Sequence, residues 1–445
     1  MPVVIPASRR TVVVGAVVAL GTLLATTGPL YRVRTWWRFD DPLAADPVVV
    51  AVQVALGLAG AIALIRFGRW RRMDRRMAVV GLALVAWLAL GSLWSANPST
   101  TLRESLLIGV GLVAGAGAAA AAGDRLLVVA AWIGVHLGLG WSAIMIALVR
   151  PGTQFHGQWT GVYFNPNSLA LVAAFGILLS VVLLVMVATR RIALPGRWRI
   201  VALGVIAASI VADLRLSGGT GALTPLFGLG VALAVGAAAI AARRIVAPAD
   251  ARRTAAVAGV GLVGVGAVAW FTRGSWLSVF DRTSELTGRT AMWDVALDWF
   301  ADRPIVGHGY LGAWYDPEFT AEMLEARGEV LGSTHNSFVE LLLGAGLVGF
   351  VLAVALYALL WLAAGTRALG GRWTASVWPL AVLVYVVVEQ LGETLFVGGH
   401  LMVVATGALV VASTSEQASP PPEPSADPVV GSAGEAEIVD LERRS

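Results

Sequence analysis

Twelve apolar stretches constrain what this chain can fold into more than any other feature. They lie near 11–28, 47–65, 77–94, 105–122, 126–149, 167–188, 199–214, 222–242, 254–271, 337–363, 374–392 and 395–412. Most approach or exceed the ~18 residues that mark a membrane-spanning helix. Inside lipid the backbone must satisfy its own hydrogen bonds, which a helix does. Composition agrees: 57% of the 445 residues are hydrophobic and 13% are charged, the latter about half the share usual in soluble domains. The expected architecture is an all-α membrane protein of about twelve transmembrane helices. One large loop, 272–336, separates the ninth and tenth helices. Residues 1–412 form the polytopic domain, and the Pro-, Ser- and Glu-rich stretch 413–445 reads as a disordered cytoplasmic tail. The first apolar run has no small-residue cleavage site and reads as a retained helix.

The arginines orient the bundle. All 32 basic residues are arginine, and no lysine or cysteine is present. With the N-terminus in the cytoplasm, 21 arginines fall on inside segments and 11 outside, five of the latter in the long loop. Positive charge collects in cytoplasmic loops, so both termini are expected inside and the 272–336 loop outside. A bacterial plasma-membrane location follows as the expectation. The missing residue types exclude disulfides, cysteine nucleophiles, Schiff-base lysines and the phosphate-loop lysine. The net charge of +4 sits in short loops and calls for no nucleic acid.

The extracytoplasmic segments carry the local signals. Residues 29–46 mix Trp36 and Trp37 with arginines, as an interfacial belt does. Asn165 and Pro166 read as the cap and first residue of the sixth helix. Leu216-Ser217-Gly218-Gly219-Thr220-Gly221 reads as a turn, with an amide nest for an anion as the alternative. Within the long loop, Met292, Val295, Ala296 and Trp299 fall at helical spacing over 289–301. Pro304 ends that helix, Gly307-His308-Gly309 turns the chain, and 317–327 can form a second short helix. Both helices are expected to lie over the outer mouth of the bundle.

Several polar side chains stand where chemistry is possible. His335 lies in Ser333-Thr334-His335-Asn336, where the loop enters the tenth helix. The field of a helix start disfavours a protonated imidazole, so this ring is expected neutral and able to take a proton. A plain helix-capping histidine is the alternative. Arg289 opens the first loop helix. Its planar fork at a helix start suits a diphosphate, while pairing with Asp294 or Glu285 is the bland reading. Arg215, near the outer end of the seventh helix and two residues after Asp213, is either functional or a snorkelling interface residue. Glu389 and Glu393 share a face at i, i+4 near the outer end of the eleventh helix, placed for structural pairing with Arg289 or Arg215 or for acceptor contact. His308 sits in a turn, as a sugar contact or an exposed residue. His136 and His400 read as lone structural histidines. No metal-ligand constellation stands out.

His335-Asn336, then nine residues, then Gly346 with Gly349, resembles the signature of the O-antigen ligase and O-antigen polymerase family. So do Gly288-Arg289 before Trp293 and Pro304-Ile305-Val306-Gly307-His308-Gly309. Leu93-Trp94-Ser95 and Tyr163-Phe164-Asn165-Pro166-Asn167 are weaker parallels, and twelve helices with one outer loop match the layout. The resemblance implies a metal-independent, cofactor-free membrane glycosyltransferase. It would move or polymerise glycan from an undecaprenyl-diphosphate-linked donor onto a glycan or glycolipid acceptor hydroxyl at the outer face, with inversion. By the same likeness His335 acts as the base or positions the acceptor, and Arg289 binds the diphosphate; Asn336 and His308 stand as tentative substrate contacts. The family's arginine after the seventh helix is absent at Thr220, where Arg215 is the candidate replacement. The family's acidic residue is absent at Gly344, where Glu340 is the candidate. Other polysaccharide-assembly proteins stand open as partners. The rival reading, from another class, is a transporter or flippase of lipid-linked sugars. It calls for paired repeats and helices broken at mid-membrane, whereas here the polar residues collect at the outer surface.

Overall fold

The structure is a computed structural model that describes residues 9–25, 47–67, 73–149, 154–155, 157–163, 165–271, 289–328, 332–371, 374–398 and 400–414. The interfacial belt at 29–46, Phe164, Glu285, Gly288 and nearly all of the 413–445 tail lie outside these residues. The helices are α1 Arg9–Ala25, α2 Pro47–Phe67, α3 Arg75–Leu90, α4 Pro98–Leu148, α5 Pro166–Ala188, α6 Gly196–Thr220, α7 Thr224–Ala242, α8 Ala251–Phe271, α9 Arg289–Asp302, α10 Pro317–Arg327, α11 Ser337–Gly370, α12 Trp378–Gly392 and α13 Leu401–Ala412. A two-residue hairpin, β1 Gln154–Phe155 against β2 Gln158–Trp159, precedes α5.

Nine helices among the described residues are long and apolar enough to cross a membrane, and two shorter apolar ones, Thr11–Ala25 and Leu401–Ala412, flank them. The chain is therefore a multi-pass, all-α membrane protein. Helix α4 contains two of the expected segments. Gly123, with φ 65° and ψ 171°, breaks it at the expected turn, and Asp124 just beyond pairs with Arg367 of α11.

Small residues let these helices approach closely, as they do where lipid supplies no hydrophobic drive. Along α4 pack α1, α2 and α13. A Cβ on Gly115 would meet Val404 O at 1.8 Å, and one on Gly60 would meet Val113 O at 2.5 Å. The α5 helix and the α12 region are each 83% buried over their apolar window, far more than the others. They form the centre of the second half of the bundle, with α7 packed on both and α6 on α5.

Helix α11 is the departure that matters most for the site. Its 34 residues include Gly346 at φ 64° and ψ −168°, which divides it into a short leading helix, 337–345, and a trailing one, 347–370. The trailing part is about 36 Å long, enough to span a bilayer. A break in a helix frees carbonyls on one side and amides on the other. The Pro304–Gly309 segment satisfies them: Leu347 N donates to Pro304 O at 2.8 Å, Val348 N to Ile305 O at 3.4 Å, and His308 N to Leu343 O at 2.9 Å. Gly307 lies so close that a Cβ would stand 2.6 Å from Gly344 C and Gly346 N. The nine-residue interval between Asn336 and Gly346 is thus the length of a half-helix that carries His335 at one end and the loop's docking point at the other.

The loop helices fall where expected, at Arg289–Asp302 and Pro317–Arg327. Residues 217–221 correct the sequence reading. They are not a turn, because α6 runs on to Thr220 and stops only at left-handed Gly221 (φ 67°). Their amides are spent inside the helix, so the amide nest has no basis there. The β2 residue Trp159 fills the space over Gly219, where a Cβ would lie 2.0 Å from its ring.

Candidate active site

The site is built around the end of α12. The helix stops at Gly392, and Glu393 turns into extended conformation (φ −147°, ψ 151°) while its N–H closes the last turn on Glu389 O. This carries the Glu393 carboxylate out of the helix row and into a polar cluster. Its Oε2 accepts from His335 Nδ1 at 2.8 Å. Its Oε1 accepts from Arg289 Nη2 at 3.0 Å and from Asn167 Nδ2 at 2.7 Å. Arg289 Nη1 also donates to Gly392 O. Four helix ends therefore meet at one carboxylate: the starts of α5, α9 and α11 and the end of α12.

Burial pushes the Glu393 carboxyl upward. The hydrogen bond and charge of His335, the charge of Arg289 and the hydrogen bond from Asn167 outweigh it, and the pKa is held below the ordinary carboxylate value. An ionised carboxylate only accepts hydrogen bonds. His335 Nδ1 must then be a donor, and in the neutral ring Nε2 carries the lone pair. Glu393, rather than the helix start, is the ring's immediate electrostatic neighbour. Arg289 uses two of its five donors on Gly392 and Glu393, and the other three have no partner among the described residues. The side chains of His335 and Arg289 are 24% and 18% exposed, so both are set back yet reachable.

His335 is held in a conformation that side chains other than glycine avoid. Its φ is 50°, a left-handed geometry that persists only when its surroundings enforce it. Thr334 is pinned on both sides: its N–H donates to Glu340 Oε2 at 2.9 Å and its carbonyl accepts from Trp293 Nε1 at 2.8 Å. On the far side Asn336 N donates to Thr394 Oγ1 at 3.2 Å. The Asn336 side chain caps α11 through Phe338 N and Val339 N.

Not every candidate joins this cluster. Asn336 and Glu340 support His335 rather than line the site. Glu340 is fully buried and its other oxygen accepts from Trp314 Nε1 at 2.9 Å. Gly344, for whose absent acid Glu340 is the candidate replacement, is packed against the backbone of Gly309 and Tyr310, which leaves no room for an acidic side chain there. Arg215 is exposed at its helix face and lies over the Trp159 ring at 5.0 Å, with no contact to the Glu393 cluster among the described residues. His308 Nε2 donates to Trp299 O at 2.7 Å. Glu389 and Glu393 do not act as a matched pair, because Glu393 has left the helix. Glu389 is buried against Gly228 of α7, with both oxygens lacking a hydrogen bond. Arg289 pairs with Glu393, not with Asp294, among the described residues, and Glu285 lies outside them. His136 is not alone: its Nε2 lies 3.0 Å from Asp213 Oδ2.

Two features were underweighted in the sequence. Asn167 belongs to the Asn-Pro-Asn start of α5, where Asn165 takes the cap (Ser168 N to Oδ1, 2.8 Å) and frees Asn167 to reach Glu393. The doubled asparagine was the available signal. Glu393 as the hub had none, since its role depends on α12 ending one residue before it. Trp94 and Ser95 serve the loop: Trp94 Nε1 donates to Gly307 O at 3.1 Å, and Ser95 lies against Gly309.

Fold and site together define a multi-pass membrane protein with a His–Glu–Arg centre at the mouth of its helix bundle. Residues 218–354 match the O-antigen ligase family. That segment, about a third of the chain, holds Arg289, His335, the Gly346 break and the docking loop. The chain is also 26% identical over 328 residues to the exopolysaccharide production protein ExoQ of Rhizobium meliloti (strain 1021), covering 70% of this chain and 72% of that protein.

Proposed function

We propose that this chain is a polysaccharide polymerase or ligase of the bacterial plasma membrane. It takes glycan from an undecaprenyl-diphosphate-linked donor and passes it to an acceptor hydroxyl on the extracytoplasmic side. The observation that carries this reading is the single carboxylate, Glu393, that holds an imidazole and a guanidinium at one reachable place. An acceptor hydroxyl needs a base, and a departing diphosphate needs a cation. His335 takes the hydroxyl proton at Nε2 as the oxygen bonds to the anomeric carbon. The bond from that carbon to the diphosphate oxygen breaks, and its electron pair leaves with the diphosphate, whose charge Arg289 meets. Glu393 fixes the tautomer of the ring and aims the guanidinium. Direct displacement inverts the anomeric centre. The likeness to a protein of exopolysaccharide production supports a part in making surface polysaccharide. The arginine asymmetry of the loops supports cytoplasmic termini and an outer site.

The test is transfer from lipid-linked donor in vesicles. His335→Ala should express and insert normally and lower transfer by roughly 100-fold or more. Wild-type rates in that variant would sink the assignment.

A further inference from the structure

A second charged cluster lies at the opposite end of the bundle from Glu393. Helix α5 starts beside Glu393, through Asn167. Its 23 residues carry it about 35 Å away, roughly the thickness of a bilayer's hydrocarbon core. Its two neighbours run antiparallel to it. Near the site, a Cβ on Gly176 of α5 would meet Leu139 of α4 at 3.1 Å and Asp213 of α6 at 2.8 Å. One turn further along α5, Ser180 accepts from Trp132 of α4 at 2.8 Å and bonds Ser209 of α6 at 3.0 Å. Continued for about two more helical turns, this register brings the Gly123 break of α4 and the start of α6 level with the end of α5. Arg199 Nη2 confirms it for α6 by donating to Ala188 O at 2.9 Å.

The segments that meet there, 120–127 and 188–200, hold five arginines and one carboxylate, Asp124. That carboxylate is taken by Arg367 of α11, which also donates to Ala412 O. Arg125 and Arg190 are exposed and Arg191 is half-buried. Burial, and then the charge of Arg125, lower the Arg191 pKa, and Asp124 does not offset them. Arg190 is left-handed, with φ 58°, just past the end of α5, where glycine would sit without strain. The chain keeps a charge at that position instead. Trp198 and Ile200 beside it are exposed, as anchors at a membrane interface are.

We propose that this cluster binds the headgroup of an anionic phospholipid, with Arg125, Arg190 and Arg191 around its phosphate and Trp198 at the edge of the acyl region. Guanidinium forks match phosphate oxygens in pairs, and basic pockets between helices at one membrane surface take acidic headgroups. The site stands whether or not the Glu393 cluster transfers glycan.

A defined site and a general belt of positive charge respond differently to substitution. The full chain, purified in a non-ionic detergent, is titrated with phosphatidylglycerol, with phosphatidylcholine and with inorganic phosphate while its melting temperature is read. Phosphatidylglycerol should raise the melting temperature of the wild type, and the other two should not. Arg125→Gln with Arg190→Gly removes two charges and puts glycine at the left-handed position, so without lipid its melting temperature should equal or exceed that of the wild type. Its apparent Kd for phosphatidylglycerol should rise roughly 10- to 30-fold, about fivefold for each arginine at the headgroup. Arg252→Gln with Arg253→Gln removes the same charge from the exposed start of α8, at the same end of the bundle, where Gly370 of α11 abuts Ala251. That variant should change the Kd less than about twofold. Equal losses in the two double variants would overturn the site and leave a belt only. No rise with phosphatidylglycerol, or an equal rise with phosphatidylcholine or with inorganic phosphate, would overturn it as well.

Discussion

Two imidazole–carboxylate pairs occur among the described residues, and they differ in everything except length. His335 and Glu393 meet at 2.8 Å, and His136 of α4 and Asp213 of α6 at 3.0 Å. In the first pair one ring nitrogen is spent and the other has no partner among the described residues. In the second both are spent, because His136 Nδ1 also donates to Trp132 O at 2.8 Å. The first carboxylate holds an arginine and an asparagine as well. The Asp213 side chain is 2% exposed and has only the ring. Nearby, Trp132 Nε1 bonds Ser180 Oγ at 2.8 Å and Ser180 bonds Ser209 at 3.0 Å, so polar contacts tie α4, α5 and α6 together. The Asp213 pair is a clasp within the bundle, and the Glu393 cluster keeps its imidazole and guanidinium partly exposed. An imidazole beside a carboxylate is not sufficient; a free nitrogen, a cation and access make the difference.

The sharpest way to break this comparison is at the cation. Arg289→Ala should lower transfer by about 100- to 1000-fold, the usual loss of one group that meets developing charge. Arg327→Ala, on the far end of α10, should change it less than twofold. Equal losses in an initial-rate assay would remove Arg289 from the chemistry. Glu393→Gln keeps the shape of the hub but not its charge, and a smaller loss of roughly 10- to 100-fold is expected.

The clasp should respond in the opposite way. His136→Leu leaves Asp213 buried without its partner, a change that destabilises folded proteins because one polar group is desolvated alone. The melting temperature of the purified protein should fall. His136→Leu combined with Asp213→Leu should recover most of the loss, since replacing both partners with apolar groups is often neutral. Transfer per folded molecule should stay within about threefold in both variants. A double variant less stable than the single one would mean that the pair does more than hold helices together.

Much of this was legible beforehand. Apolar length revealed the helices, and their periodicity in the long loop revealed α9 and α10. His335 and Arg289 emerged because a base and a cation sat at helix starts within a spaced pattern. What stayed hidden depended on where helices end. The glycines at 218–219 looked like a turn, yet Trp159 packs on them and α6 continues. Glu389 and Glu393 looked like one helical face, yet one residue beyond α12 the direction of a side chain is set by the next segment. Pairings across the sequence, such as His136 with Asp213, 77 residues apart, leave no local trace at all.

The smallest expected effect concerns His308, and its sign separates it from Glu393. Burial lowers the His308 pKa, against a smaller upward push from its bond to Trp299 O, and Arg303 adds to the lowering. Its folded pKa therefore lies below the ~6.5 of an unfolded histidine. Between those values the unfolded chain binds more protons, so stability falls as the pH falls through about 6.5. Glu393 behaves differently: its folded pKa lies below the ordinary glutamate value of 4.5, so its contribution is intact above about 4.5 and is lost only on further acidification. Between pH 7 and pH 5.5 the fall should accordingly include a His308 share that Glu393 does not supply. The melting temperature of His308→Gln should decline less steeply than that of the wild type over this range, by on the order of 1 °C, with the amide still able to donate to Trp299 O. Parallel slopes would show that the ring is not held neutral by its burial beside Trp299.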